Sequence, residues 1–276
     1  MRFSVITPSF RNSGWLRLCI ASVADQGVEL EHIVQEAGSD DGTLEWLLQD
    51  PRVKAFVERD QGMYDAVNRG LRRAQGEILS YLNCDEQYLP GALAAVDDFF
   101  RKNPAVDVLF ADFVVVDAEG KYLFHRKVQT PLLYHTWVAH LASFTCATFF
   151  RRRLIAEEGL FFNEKLKDVG DADWIVRLLR RNVSMGVLRR FTSVFTLTGD
   201  NRYTGAQARR ERLELASAAP LWARRGKALI VLHHRLRRLL GGIYSQKPFS
   251  YALYTAKNPE TRTIQKVAQP TAKWKS

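Results

Sequence analysis

Leu82-Asn83-Cys84-Asp85-Glu86 closes the apolar run Ile78–Leu82. A short buried strand that empties into two adjacent carboxylates carries charge at its carboxyl end. Three segments nearer the N-terminus read the same way. Phe3–Thr7 ends in Thr7-Pro8-Ser9, His32–Gln35 runs into Glu36, and Val53–Val57 leads to Asp60. Between them Leu16, Ile20 and Val23 step at helical spacing up to Gly27. Thr43–Leu48 opens a helix behind acidic residues, and Tyr64–Ala74 is helical. Strands alternating with helices at this interval describe βαβ units and a mostly parallel, doubly wound α/β sheet with helices on both faces. Ligands of such sheets bind beyond the carboxyl ends of the strands. Thr7, Glu36, Asp60 and Asp85 are therefore expected to converge on one crevice.

After the helix Gly91–Lys102, stopped by Pro104, the pattern changes. Val106–Val116 is a long apolar run, and Asp117-Ala118-Glu119-Gly120 is a hairpin-type turn into Tyr122–His125. Mixed or antiparallel strands are expected here. Asp171–Arg181 is again helical, with Trp174, Ile175, Leu178 and Leu179 on its buried side. The expected organisation is one α/β domain over 1–214, in halves 1–103 and 104–214, followed by a basic, partly amphipathic helical extension over 215–276. The residues from about Asn258 onward are polar and read as loose.

The 276 residues are 46% hydrophobic and 25% charged, which excludes a disordered chain and supplies a generous core. Cys19, Cys84 and Cys146 lack close spacing, which excludes a disulfide scaffold and a cysteine metal site, and points to a reduced, cytoplasmic setting. The N-terminus meets Pro8 too early for a signal peptide. Val128–Phe150 carries no Asp, Glu, Lys or Arg, but Gln129, Pro131, His135 and His140 disqualify it as a bilayer helix. It reads as a buried or cleft-lining segment.

Charge is uneven. Residues 1–214 hold 28 basic and 29 acidic side chains, whereas 215–276 hold 12 basic side chains and only Glu260. Leu229, Leu232, Leu236, Leu239 and Leu240 recur there at helical spacing beside Arg224, Arg225, Lys227, Arg235, Arg237 and Arg238. Such a helix suits an anionic membrane surface at the inner face of the cell membrane. Packing of the Leu stripe on the main domain is the second reading. Nucleic-acid binding is the least favoured of the three.

Four blocks in order carry a family resemblance: Val5-Ile6-Thr7-Pro8-Ser9-Phe10-Arg11-Asn12, Gly38-Ser39-Asp40-Asp41-Gly42-Thr43, Arg59 to Gly70, and Gly76-Glu77 with Leu82 to Glu86. Together they resemble the family 2 glycosyltransferases of the GT-A fold. The resemblance implies a metal-dependent, inverting transferase that moves a sugar from a nucleotide-diphospho-sugar to a hydroxyl of a saccharide acceptor, lipid-linked or part of a surface polysaccharide. It implies that Thr7 and Pro8 lie against the nucleotide, Glu36 holds base or ribose, and Asp60 and Asn68 line the donor pocket. Asp85 would bind ribose or metal, and Glu86 would ligate the divalent cation (Mn2+ or Mg2+) at the diphosphate. Glu36 and Glu86 stand where the family usually has Asp, and Thr145-Cys146 stands where many relatives carry His-Gln. These departures keep a non-catalytic nucleotide-sugar-binding protein as the alternative, with a nucleic-acid-binding protein driven by the basic tail behind it.

Asp168-Val169-Gly170-Asp171-Ala172-Asp173-Trp174 resembles the family's acceptor-side acidic motif. An inverting transferase needs one carboxylate to take the proton of the attacking hydroxyl. Asp171 is the choice by position and Asp173 the second, while helix capping would also explain an Asp here. His233-His234 lacks acidic or cysteine partners for a metal site, and His125 and His135 read as structural. Asp200-Asn201-Arg202-Tyr203 follows a strand and suits a lid over the nucleotide.

Overall fold

Strand β1 (Phe3–Ser9) is buried on both faces because a helical layer covers each. It pairs in parallel with β2 (Leu30–Glu36) and β4 (Ile78–Tyr81), and β2 pairs in parallel with β3 (Lys54–Val57). Ile6 and Ile33 share one face, and Thr7 and Val34 share the other. On the first face lies α3 (Met63–Arg73), so close that a Cβ on Gly70 would stand 2.5 Å from Ile6. On the second face lie α1 (Ser13–Ala24) and α2 (Thr43–Leu47), which pack Leu16, Ile20 and Leu47 on Val34. The computed structural model describes residues 1–198 and 205–273. The expected lid at Asp200–Tyr203 lies outside them.

Four residues join β4 to β5 (Glu86–Tyr88), yet the strand order is β3-β2-β1-β4, then β8 (Thr148–Arg151), β6 (Val108–Asp117), β9 (Met185–Leu197) and last β5, with β7 (Tyr122–Arg126) paired to β6. Four residues cannot cross a flat run of that width, so the sheet curls until β5 approaches α1. Asp85 sits on the link. In this second half β6 and β9 are parallel, while β7 and β8 run antiparallel to β6. The mixed pairing expected after residue 103 is present. The Asp117 turn closes as read, its Oδ1 accepting from the backbone N–H of Glu119 and Lys121. Helix α4 (Ala92–Lys102) follows β5. Short helices α5 (Leu133–Val138) and α6 (Arg153–Ala156) precede α7 (Gly170–Arg180) and α8 (Ala206–Ser217).

Two expectations for the C-terminal part need correction. It is helical in α9 (Leu221–Arg225) and α10 (Lys227–Leu240), but it then forms a hairpin of β10 (Phe249–Thr255) and β11 (Asn258–Val267). Asn258–Val267, read as loose, is thus a strand. Tyr251, Leu253 and Val267 pack on Leu89, Val114, Val116 and Val194. Arg262 grips Asp25 through two nitrogens at 2.6 and 2.7 Å, and Gln87 exchanges two hydrogen bonds with Tyr254. The alternation of Phe249, Tyr251 and Leu253 is the period-two signal of this hairpin.

The second correction concerns the Leu stripe. It does not pack on the main domain: Leu229, Leu232, Leu236, Leu239 and Leu240 are 50% to 87% exposed. The opposite face of α10 turns inward with His234, while Ile230 joins Trp137, Val138, Ala219 and Ala223 in a small cluster. Among the described residues no helix is long and apolar enough to cross a membrane.

Candidate functional site

A cleft of about 1340 Å3 opens above the strand ends. That exceeds the roughly 300–1,000 Å3 typical of a single small-ligand site, so two substrates can share it. Pro8, Asp60 and Asp85 line one wall, and Asp171 reaches in from the other half of the chain. The uncharged segment 128–150 supplies Trp137, His140 and Phe144 to the wall, as its reading as cleft-lining expected.

The loops of the first wall hold one another in place. Asp60 Oδ1 accepts from Gly62 N at 2.8 Å, which fixes the turn into α3. The Cys84 thiol donates to Pro8 O at 3.1 Å and ties the loop after β4 to the end of β1. Burial pushes this thiol up to about 12, so it stays protonated. Arg11 pairs with Asp40 at the rim, its guanidinium nitrogens 2.6 and 2.7 Å from the carboxylate oxygens.

Four residues expected in the donor or metal site do not line this cleft. Thr7 is buried, its Oγ1 2.8 Å from His32 Nε2, because it faces α1 rather than the strand end. Glu36 turns into its own loop and accepts from Gly38 N, Ser39 N and the Ser39 hydroxyl. Gly38 allows that wrap, with φ at 91°, a left-handed conformation costly to other residues. Asn68 clamps the chain near residue 162, donating to Phe162 O at 2.9 Å and Glu164 at 2.8 Å and accepting from Phe162 N at 3.0 Å. Glu86 lies behind the wall, fully buried, with Oε2 accepting from Asn83 N at 2.8 Å and Oε1 without a partner.

Burial raises the carboxyl groups of both Asp85 and Glu86, and the charge of Asp85 raises Glu86 further. Two adjacent carboxylates that resist sharing negative charge, one at the cleft and one holding an unpartnered oxygen, form a donor set that fits a hard divalent cation.

On the opposite wall, Asp171 opens α7. Burial lifts its carboxyl to about 6, even though Ala172 N and the Tyr64 hydroxyl donate to it. The Tyr64 oxygen accepts in turn from Asp171 N at 3.1 Å. Gly170 makes this contact possible, since a Cβ there would stand 2.6 Å from the Tyr64 ring. Glu211 of α8 holds the turn before α7, accepting from the backbone N–H of Lys167, Asp168 and Val169. Burial pushes the Glu211 carboxyl up, but these bonds outweigh it and hold it below the ordinary value. Asp173, the second choice as base, is salt-bridged to Arg177 at 2.8 Å and does not line the cleft.

Sequence reasoning missed Tyr64 and Glu211 as positioning groups, and it also missed a histidine cluster. His135, His140 and His234 bring ring nitrogens within 4.8 Å of one another. Burial lowers all three, to about 3 for His135 and about 4 for His234, so they are neutral near pH 7. His135 and His234 stack face to face, centroids 3.7 Å apart and planes 19° apart. Stacked rings aim their in-plane lone pairs side by side rather than at one point. Arg238, which lowers all three electrostatically, further opposes a cation there.

The model of the family described as glycosyl transferase family 2 matches residues 4–160. The chain belongs to that family and is a glycosyltransferase by class. A glycosyltransferase of PGL/p-HBAD biosynthesis from Mycobacterium bovis is 28% identical over 186 residues, covering 63% of this chain and 68% of the relative. Chondroitin synthase of Escherichia coli is 25% identical over 189 residues, 63% of this chain but 26% of the relative. Among solved structures, S. aureus TarS 1-349 in complex with UDP-GlcNAc superposes with a TM-score of 0.63 at 19% identity, covering 78% of this chain and 64% of that one. The mannosyltransferase PcManGT from Pyrobaculum calidifontis, in complex with GDP-Man and Mn2+, superposes with a TM-score of 0.55 at 16% identity over 86% and 80% of the two chains. These likenesses establish the GT-A fold. The chain spans under two thirds of the TarS chain.

Proposed function

We propose that this chain transfers a sugar, with inversion, from a nucleotide-diphospho-sugar to a saccharide hydroxyl, using Asp171 as the base. The observation that carries this reading is that Asp85 and Asp171 face one cleft from separate halves of the chain. The nucleotide lies along Pro8 and Asp60. Asp85, with Glu86 behind it, would hold a divalent cation, which would offset the charge gathering on the diphosphate as it leaves. Asp171, its carboxyl near 6, is ionised at neutral pH and basic enough to take the acceptor's proton as the hydroxyl attacks in line with the departing diphosphate. Tyr64 fixes the carboxylate from one side and Glu211 fixes the turn that carries it. The complexes of TarS with UDP-GlcNAc and of PcManGT with GDP-Man and Mn2+ lend support by analogy of fold. Incubation with a panel of nucleotide sugars and Mn2+ tests it, with slow transfer to water as the readout. One donor is expected to release nucleoside diphosphate at a rate that Asp171→Asn lowers about a hundred-fold or more. Release from no donor would leave the nucleotide-sugar-binding alternative.

The acceptor is read as lipid-linked, and α10 supports that reading. Its exposed Leu stripe continues into exposed Leu221 and Trp222, flanked by exposed Arg224, Arg225, Lys227 and Arg235. Apolar and basic side chains exposed together suit an anionic bilayer surface, each basic residue near the lipid adding about 1 kcal/mol. Sedimentation with phosphatidylglycerol vesicles is expected for the intact chain and lost in the Leu236→Glu, Leu239→Glu variant. Equal sedimentation of both would overturn the membrane reading.

A further inference from the structure

The inward face of α10 carries an unsatisfied charge. Arg237 is spent on Thr130, donating to its carbonyl at 2.8 Å and its hydroxyl at 2.7 Å. Its neighbour Arg238 lines the cleft instead, and its Nε and Nη2 are buried with no hydrogen-bond partner. Among the described residues it makes no ion pair, and its one contact of note is the Tyr244 ring, 5.0 Å from its guanidinium carbon.

Beside it on the same wall are Arg126 of β7 and His140. Burial and the charge of Arg238 together lower the Arg126 guanidinium to about 10, Arg126 Nη1 donates to Ala272 O at 3.2 Å, and the two cations line the same cleft. A guanidinium with buried, unpartnered nitrogens next to a second cation is a costly arrangement by itself, and an anion relieves both costs at once. The planar fork of Arg238 suits the paired oxygens of a phosphate group.

We infer that Arg238, with Arg126 and His140, binds a phosphate group carried by the acceptor. This rests on the glycosyl-transfer reading and adds the chemical class of its second substrate. Two observations favour the acceptor over the donor. Arg126, His140 and Arg238 all belong to the chain beyond residue 103, whereas the donor wall of Pro8, Asp60 and Asp85 is carboxylate-rich and calls for a cation to receive a diphosphate. Helix α10 also presents Leu232, Leu236 and Leu239 outward while Arg238 lines the cleft, so a phosphate adjoining a lipid anchor would meet the guanidinium on entering.

The test uses the full chain with Mg2+ and a saturating nucleoside diphosphate, and reads 31P line broadening of added glycerol 1-phosphate. Nucleotide affinity is measured separately, so failure of the donor reading shows there first. Glycerol 1-phosphate is expected to bind alongside the nucleotide, and Arg238→Gln to weaken it about ten-fold while nucleotide affinity holds. Arg238→Lys, which keeps the charge and loses the fork, is expected to fall between. A matching unfolding midpoint for each variant guards against loss of fold. Absence of glycerol 1-phosphate binding, unchanged binding in Arg238→Gln, or displacement of glycerol 1-phosphate by the nucleotide would overturn the inference. So would an equal loss of vesicle sedimentation in Arg238→Gln, which would assign the guanidinium to bilayer headgroups.

Discussion

The wall built from residues 1–103 consists of short strand-end loops, braced within themselves and by ties between adjacent loops such as Cys84 to Pro8 and Arg11 to Asp40. Asp60 holds Gly62, Glu36 holds Gly38 and Ser39, and Glu86 holds Asn83. The facing wall is braced over long separations: Tyr64 holds Asp171, Glu211 holds the 167–169 turn, and Asn68 holds Phe162. The first wall can therefore form as soon as its βαβ units do. The second needs the whole chain in place, which makes the base the more fragile part of the site.

Replacement of the base separates the walls most sharply. Asp171→Asn is expected to lower turnover about 10²- to 10⁴-fold with donor affinity retained. Folding raises this carboxyl above its unfolded value near 3.8, so its contribution to stability is present below that pH and lost as pH climbs through about 6. The asparagine variant escapes that loss and should be about 1–2 kcal/mol more stable at pH 8 in thermal unfolding, allowing for the water the cleft admits. Wild-type kcat/KM should fall roughly ten-fold per pH unit below about 6, as the base takes up its proton. A flat profile down to pH 5 would remove Asp171 from the role.

Asn68→Ala comes next and separates a clamp from a donor contact. Losing a buried amide that serves Phe162 and Glu164 should cost about 2–3 kcal/mol in denaturant unfolding and leave nucleotide affinity within about two-fold. Weak nucleotide binding at unchanged stability would return Asn68 to the donor pocket. Glu211→Gln should cost about 1–2 kcal/mol and lower kcat more than KM, because the 167–169 turn loses a charged acceptor while the donor wall is untouched. The smallest effect is expected for Asp173→Asn, about 1 kcal/mol or less with near-normal turnover, since its partner Arg177 is half-exposed.

The same contrast explains what the sequence disclosed. The alternation of strands and helices to residue 103 was legible because burial on both faces demands continuous apolar runs such as Phe3–Thr7, punctuated by turn residues. The cleft positions of Asp60 and Asp85 followed from strand ends, and those of Pro8 and Asp171 from motifs. Whether a side chain at a strand end turns outward was not legible. Thr7 faces α1 by the strand's two-residue period, and Glu36 is long enough to cap its own loop. The hairpin at 249–267 was hidden by its charged outer residues, and Arg238 gained meaning only once α5 and β7 were beside it.

The most direct measurement is a thermal-shift panel of UDP, GDP, dTDP and CMP, each with and without Mn2+, on the wild-type chain and Asp85→Asn. A ligand at 100 times its Kd stabilises by about 2.7 kcal/mol, several degrees for a chain of this size. One nucleotide should raise the wild-type midpoint in the presence of Mn2+, with the rise lost in Asp85→Asn. An equal rise in both proteins, or none with any nucleotide, would contradict a donor site built on Asp85.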